Sequence, residues 1–405
     1  MKNRLLVVLI GTFVGLSSSL VQGAQKWEWD RIKRGIPGAA RSLEHLQYIS
    51  KDELEARLPD FLKPARNGVD LYSLEYFSED FEGQLQVLSG LVVVPDTEDS
   101  AFPLLSLQHG TIFHDSEAPT ERLDYGLVEA SQGFVTIVQD YMGYGVSRHL
   151  MHPYIMEKAY ESSGINMIQA ARLVARANQI DLSEHLFLKG YSEGGYATLS
   201  LQKAIERTGV FDITASAPQA GPYDVLAVGA ALMSSQETNP ALAGLFLVSY
   251  SHYYDEKLDL SVYFREPDVW NLSNLFDGSY NYQEISSVLP SESDLFFNPA
   301  YRSSFLDRYQ KSRAGQAVSW KPIEERMIEN SIQKGWTIAS PTRFVHCVDD
   351  EVVTVGSSDE AFKHLGENNS LVSYERIESV PGQDPYRHGT CPGYYTPIAW
   401  FLSFL

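Results

Sequence analysis

Leu186-Phe187-Leu188-Lys189-Gly190-Tyr191-Ser192-Glu193-Gly194-Gly195-Tyr196-Ala197 is the stretch on which the fold turns. Residues 186–188 read as a short apolar strand, and residues 197–207 have helical spacing. Between them, Gly190 to Gly194 fits Gly-x-Ser-x-Gly. That pattern alone is weak, but a strand before it and a helix after it are the setting it requires. There the serine occupies a strained turn, and the glycines let neighbouring backbone pass close by. Its hydroxyl then stands exposed near a helix N-terminus.

Outward from this turn the chain keeps one rhythm. Residues 71–77, 85–94, 103–107 and 134–138 read as strands before it, with a helix over 159–178. Strands at 213–217, 343–348 and 371–377 follow it, with helices over 359–365 and 394–405. Strands alternating with helices predict an α/β protein with a mostly parallel central sheet flanked by helices on both faces. Residues 26–64 are polar and helix-leaning, and read as an N-terminal arm.

Between 221 and 340 the rhythm breaks. Ala/Leu-rich helical stretches at 225–233 and 241–248 give way to a segment dense in Tyr, Phe and Trp. We read 221–340 as a helical cap or lid, inserted between two parts of the core, 24–220 and 341–405. Most of its aromatic rings build its own interior, and some should face Ser192 as the apolar wall of a pocket.

Residues 1–23 read as a signal peptide: Lys2 and Arg4 precede an apolar run, and Val21 and Gly23 suit a cleavage site before Ala24. Export follows, to a secreted or periplasmic location, and no other segment approaches membrane-spanning length. The formal charge of −20 repels phosphate backbones and argues against nucleic acid as a partner. No metal site is expected, since His109 and His114 lack any companion zinc-ligand spacing. No cofactor-binding glycine loop is present either.

A serine hydroxyl attacks only when a base takes its proton and an acid orients that base. On this strand order the acid and then the histidine follow the serine. His388 is the best base: His252 lies in the cap, His346 in a strand and His364 on a helix. For the acid, Asp349 and Asp350 are adjacent at the end of a strand, with Glu351 a third candidate. A tetrahedral intermediate also needs two N–H groups aimed at its oxygen. Glu193 should supply one, and the turn His109-Gly110-Thr111 the other, from Thr111 or Gly110. Tyr141, in the glycine-bearing loop 140–145, and Tyr191 are candidates for the substrate-binding surface.

Gln108-His109-Gly110-Thr111, Asp140-Tyr141-x-Gly-x-Gly with His152-Pro153-Tyr154, Gly190-Tyr191-Ser192-x-Gly-Gly and His346-x-x-x-Asp350-x-x-Val353 together resemble the secretory lipase family of α/β-hydrolases. The resemblance runs from about residue 85 to the C-terminus. It implies an α/β-hydrolase fold, hydrolysis of acylglycerols or related carboxylic esters, and Asp350 as the acid. The sequence departs from the family at Cys347, where glycine is usual, and at Glu193, where glutamine is frequent. With Asp350 chosen, the only two cysteines gain meaning. Cys347 lies three residues before Asp350 and Cys391 three after His388, so a disulfide between them is expected.

The substrate class expected is thus a small-molecule or lipid ester. A peptidase or amidase would carry the same triad, and Glu237, Asp255 and Glu256 of the cap are acids that could hold a substrate amine. A non-catalytic binding protein of this fold would ordinarily have lost a triad member, and all three candidates are present.

Overall fold

The computed structural model describes residues 35–58, 64–99, 101–254, 258–267 and 270–405. The signal peptide read over 1–23, and Asp255 and Glu256, lie outside them. The strands form a nine-stranded sheet in the order β1-β2-β3-β5-β4-β6-β7-β8-β9. Their ranges are β1 Ala40–Ile49, β2 Gly68–Glu79, β3 Leu85–Asp96, β4 Phe102–Gln108, β5 Val135–Gln139, β6 Leu182–Tyr191, β7 Ala215–Gln219, β8 Thr342–Cys347 and β9 Val372–Ile377.

Contacts divide the chain into two compact units. The first takes its described residues from Met1–Leu107, Ala118–His149 and Ala159–Phe187. Here β1/β2, β2/β3 and β3/β5 pair antiparallel, whereas β4/β5 pair parallel, so the sheet is mixed, with an antiparallel flank. The antiparallel flank begins within residues 26–64, where the polar, helix-leaning sequence predicts a helical arm. β1 is an edge strand whose side chains alternate with exposure, and its polar residues Arg41, Glu44, His45 and Gln47 mask the apolar run a buried strand would show. Among the described residues of this arm, α1 (Lys51–Arg57) keeps the expected helical character, started by a capping box between Ser50 and Glu53.

By contrast, β5 is buried at every position, and its continuous Val-Thr-Ile-Val run is what a strand covered on both faces requires. Short helices α2 (Pro119–Arg122) and α3 (Leu127–Ser131) follow β4. The long α4 (Glu157–Ala177) buries Tyr160, Gly164, Met167, Ala171 and Val174, a stripe at helical period.

The second unit contains Gln108–Glu117, Leu150–Lys158 and Leu188–Leu405. It holds α5 (Glu193–Thr208), β7, β8, α12 (Gly356–Leu365), β9 and α13 (Ile398–Leu402). β7/β8 and β8/β9 pair parallel. Between β7 and β8 come α6 (Val225–Ser234), α7 (Pro240–Tyr253), α8 (Tyr282–Val288), α9 (Ser293–Phe296), α10 (Pro299–Arg313) and α11 (Pro322–Glu329). Two of these helices start with the same chemistry. Asn239 and Asn298 accept from backbone N–H groups of the first turn, and Pro240 and Pro299 occupy a position with no N–H to lose. The segment's aromatics pack on one another: Phe264, Phe296 and Phe297 are buried with ring centroids 4.8–6.2 Å apart. Among the described residues no helix is long and apolar enough to cross a membrane, and no group of three or more His, Cys, Asp or Glu could hold a metal ion.

Candidate active site

β6 runs into α5 with a single residue, Ser192, between them. Its φ of 61° and ψ of −123° are strained for a side chain. The strain is held by backbone: Ser192 N–H donates to Gln219 O at 3.0 Å, and Tyr196 N–H to Ser192 O at 3.1 Å. The motif glycines leave no room for a side chain. A Cβ on Gly190 would sit 2.2 Å from Gly194 O, and one on Gly194 would sit 2.0 Å from Gln108 O. The turn after β4 is therefore pressed against the start of α5. Gly110 is part of that contact, since a Cβ there would lie 3.7 Å from Ser192 Cβ. Thr111 follows it, its Oγ1 hydrogen-bonded to Tyr154 Oη at 3.0 Å. His109 is buried, with Nδ1 donating to Gly110 O at 2.7 Å.

Facing Ser192 Oγ is His388 Nε2, at 2.8 Å. The other ring nitrogen, Nδ1, donates to Asp350 Oδ2 at 2.6 Å. Ser192, His388 and Asp350 thus form one hydrogen-bonded line, all within the second unit. Asp350 is buried, and its Oδ1 accepts the N–H groups of Val352 and Val353. Asp349 points elsewhere, accepting from Ser379 Oγ. Glu351 takes the backbone N–H of His388 at 3.0 Å. The three consecutive acids hold three different parts of the loop that carries His388.

Asp350 has a second histidine partner. His346, fully buried, places Nε2 2.7 Å from Val353 O and 3.3 Å from Asp350 Oδ2. Burial alone would push the Asp350 carboxyl up. Hydrogen bonds from His346 and His388, with the charge those rings carry when protonated, override burial and hold it well below the ordinary carboxylate range.

The disulfide Cys347–Cys391 is formed, with Cα atoms 6.0 Å apart, and both cysteines are buried with Tyr386. It joins the end of β8, three residues before Asp350, to the residues after His388. Tyr191 adds a direct tie: its hydroxyl donates to His388 O at 2.8 Å. Burial, then the charges of Asp350 and Glu351, keep that hydroxyl protonated far above its ordinary range, so it remains a donor.

A cavity of about 790 Å³, its open mouth included, meets Ser192 and Glu193. Its wall is apolar: Val225, Leu232, Leu242, Phe246, Phe297 and Met327 are representative. Tyr141 and Tyr191, the two expected substrate contacts, are not part of this wall. Tyr141 belongs to the first unit, buried edge-on against Tyr160 at 5.3 Å, and Tyr191 is engaged with His388. Several residues at the site had no assigned role in the sequence reading: His346, the Glu351 carboxylate on the His388 backbone, and His152 and Tyr154. His346 and the His152-Pro153-Tyr154 run stood within the quoted motifs, which was the available signal.

No family model matches the sequence, and no curated protein does. Solved structures do match. A Legionella pneumophila protein described as a hydrolase is 21% identical, covers 90% of this chain and 98% of its own, and has a TM-score of 0.78. The rice cell wall degrading esterase LipA of Xanthomonas oryzae is 23% identical over 91% of this chain and 97% of its own, with a TM-score of 0.76. Candida antarctica lipase A in its closed state is 13% identical over 91% and 82%, with a TM-score of 0.61. These likenesses carry the fold. With the mixed central sheet and its flanking helices, they define the chain as an α/β-hydrolase fold.

Proposed function

We propose that the protein is an exported serine hydrolase that cleaves carboxylic esters, a lipase or esterase acting through an acyl-enzyme. The observation that carries this reading is the Ser192–His388–Asp350 line opening on an apolar cavity. Ser192 Oγ attacks the acyl carbon while His388 Nε2 takes its proton. Asp350 holds the imidazole in the tautomer with Nδ1–H and stabilises the imidazolium. The tetrahedral oxygen lies against the N–H groups of Glu193 and of Thr111, with Gly110 as the alternative donor. His388 then protonates the leaving alcohol, and water activated by the same ring releases the acid. The helices of 221–340 serve as a cap whose apolar side chains receive the acyl group. No metal or cofactor enters any step.

An ester fits this cavity better than an aminoacyl amide. Holding a substrate amine takes a free carboxylate, and the acid in the described wall, Glu193, accepts a hydrogen bond from His152. Glu237 is exposed and pairs in a bridge with Glu292, away from that wall.

The test is turnover of p-nitrophenyl esters of rising chain length by the wild type and by Ser192→Ala. Turnover should fall by about 10⁵–10⁶ in the variant, as for other triad serines. Near-full activity in Ser192→Ala would refute the assignment, and faster cleavage of aminoacyl amides than of esters would favour an amidase.

A further inference from the structure

His152-Pro153-Tyr154 has no part in the triad, yet it touches both sides of the turn around Ser192. His152 Nε2 donates to Glu193 Oε1 at 2.9 Å, with the two side chains only 4% and 1% exposed. Tyr154, two residues on, places its hydroxyl 3.0 Å from Thr111 Oγ1. Glu193 and Thr111 are the residues whose backbone N–H groups face the tetrahedral oxygen in the proposed mechanism.

This segment is itself gripped by α7. Ser249 Oγ donates to His152 O at 2.7 Å and accepts Tyr154 N–H at 2.9 Å. Tyr250 Oη donates to Ile155 O at 2.9 Å, and Tyr253 Oη donates to Met151 O. Between these ties Ile155 adopts a φ of 52°, a left-handed conformation that a β-branched residue avoids. Such an outlier persists only where surrounding contacts over-determine it. The same helix turns Leu242, Phe246 and Leu247 into the apolar cavity, beside Tyr154 and Ile155.

We propose that residues 151–155 position the oxyanion hole, His152 holding the Glu193 donor and Tyr154 the Thr111 donor, with α7 fixing the segment from the cap side. The inference rests on the ester-hydrolase reading and deepens it. A tetrahedral oxygen gains only from donors already in place, because any reorganisation on reaching the transition state subtracts from their effect. Burial, with the Glu193 charge adding to it, keeps the Tyr154 hydroxyl protonated, so it remains able to donate to Thr111. Since α7 also walls the acyl cavity, a well-fitting acyl chain packs against the element that holds the donors. Acyl-chain binding then contributes to kcat as well as to KM.

Substitutions at three positions test it. Tyr154→Phe removes one oxygen atom and should lower kcat on p-nitrophenyl butyrate by about 10-fold, with KM within about twofold. Ser249→Ala, which removes two of the four hydrogen bonds from α7 to the segment without touching the cavity, should lower kcat about threefold in the same pattern. His152→Ala should lose more than His152→Gln, which still carries a donor for Glu193. Butylboronic acid supplies the readout that a merely structural role would not move. Its tetrahedral adduct on a serine oxygen places a hydroxyl in the oxyanion hole, so its Ki should rise in proportion to the fall in kcat. Unchanged kcat and Ki in Tyr154→Phe and Ser249→Ala, or a fall in melting temperature alone, would overturn the proposal. Ser192→Ala separates the two readings. If it is inert while these variants are unimpaired, only the positioning role fails; if it is active, the ester-hydrolase reading fails first.

Discussion

The two sides of the candidate site are built by different means. On the side of the proposed nucleophile, position comes from backbone packed against backbone: Gly194 against Gln108, Gly190 against Gly194, and Ser192 N–H on Gln219 O. On the proposed acid–base side, His388 sits in the irregular stretch between β9 and α13, where no ladder fixes it. Side chains take over that task. Tyr191 holds its carbonyl, Glu351 its N–H, Asp350 its ring, and Asp349 reaches Ser379, whose Oγ accepts Tyr386 N–H. A nucleophile on a strand-to-helix turn is placed by the sheet itself. A base on a loop needs ties brought to it from several directions, and each tie is a separate point of failure.

The acid offers the sharpest way to break this comparison. Asp350→Asn keeps the shape of the line but favours the wrong His388 tautomer, and kcat should fall by about 10⁴. Asp349→Asn, one residue away and exposed, should cost less than about 10-fold. Steady-state kinetics of the two variants side by side decide it; equal losses would mean that the two carboxylates are not doing different jobs. Asp350 also has a pH signature. Its folded carboxyl lies below its unfolded value, so it stabilises the fold above the ordinary carboxylate range. That contribution disappears as pH falls toward the depressed folded value. Melting temperature followed downward from about pH 5 should therefore fall less steeply in Asp350→Asn than in the wild type.

On the nucleophile side the corresponding break is Gly194→Ala. Its Cβ would lie 2.0 Å from Gln108 O at the end of β4, which cannot move aside without carrying Gly110 and Thr111, the proposed oxyanion turn, with it. Overpacking of this kind costs about 1–3 kcal/mol. The displaced donors should lower kcat by about 100-fold in the fraction that folds. Thermal melting and single-turnover kinetics measure the two effects separately. A variant with normal kcat would show that the turn tolerates the shift.

The same contrast explains what the amino-acid order made legible. Strands β3, β4, β5 and β8 announce themselves by dense apolar runs, because burial on both faces leaves few positions for polar residues. β1 does not, since an edge strand half in water reads like a polar helix. The closing helix is shorter than its spacing suggested: Pro392 and Pro397 confine it to Ile398–Leu402, after a short 3₁₀ turn at Cys391–Gly393. Ser192, His388 and the acidic turn were readable because each follows a strand in a fixed order. The ties from Tyr191, Glu351, His152 and Tyr154 were not. Each depends on which distant segment faces a side chain, and local periodicity carries no information about that.

The disulfide is the tie whose loss should touch catalysis least and stability most. Cys347 and Cys391 are separated by 44 residues, a loop for which the chain-entropy model gives roughly 4 kcal/mol. In the folded state, however, the His388 loop keeps its bonds to Tyr191, Glu351 and Asp350 when the sulfurs are gone. Cys347→Ser with Cys391→Ser should therefore lower the unfolding free energy by about 2–4 kcal/mol while reducing kcat at 25 °C only about two- to fivefold. Both sulfurs are buried, so a thiol reductant reaches them only when the loop opens. Native protein should then keep its activity in millimolar dithiothreitol and lose it on brief warming in the same buffer. Rapid inactivation without warming would mean that the side-chain ties alone do not hold His388, and that the covalent bond is what gives the acid–base side its position.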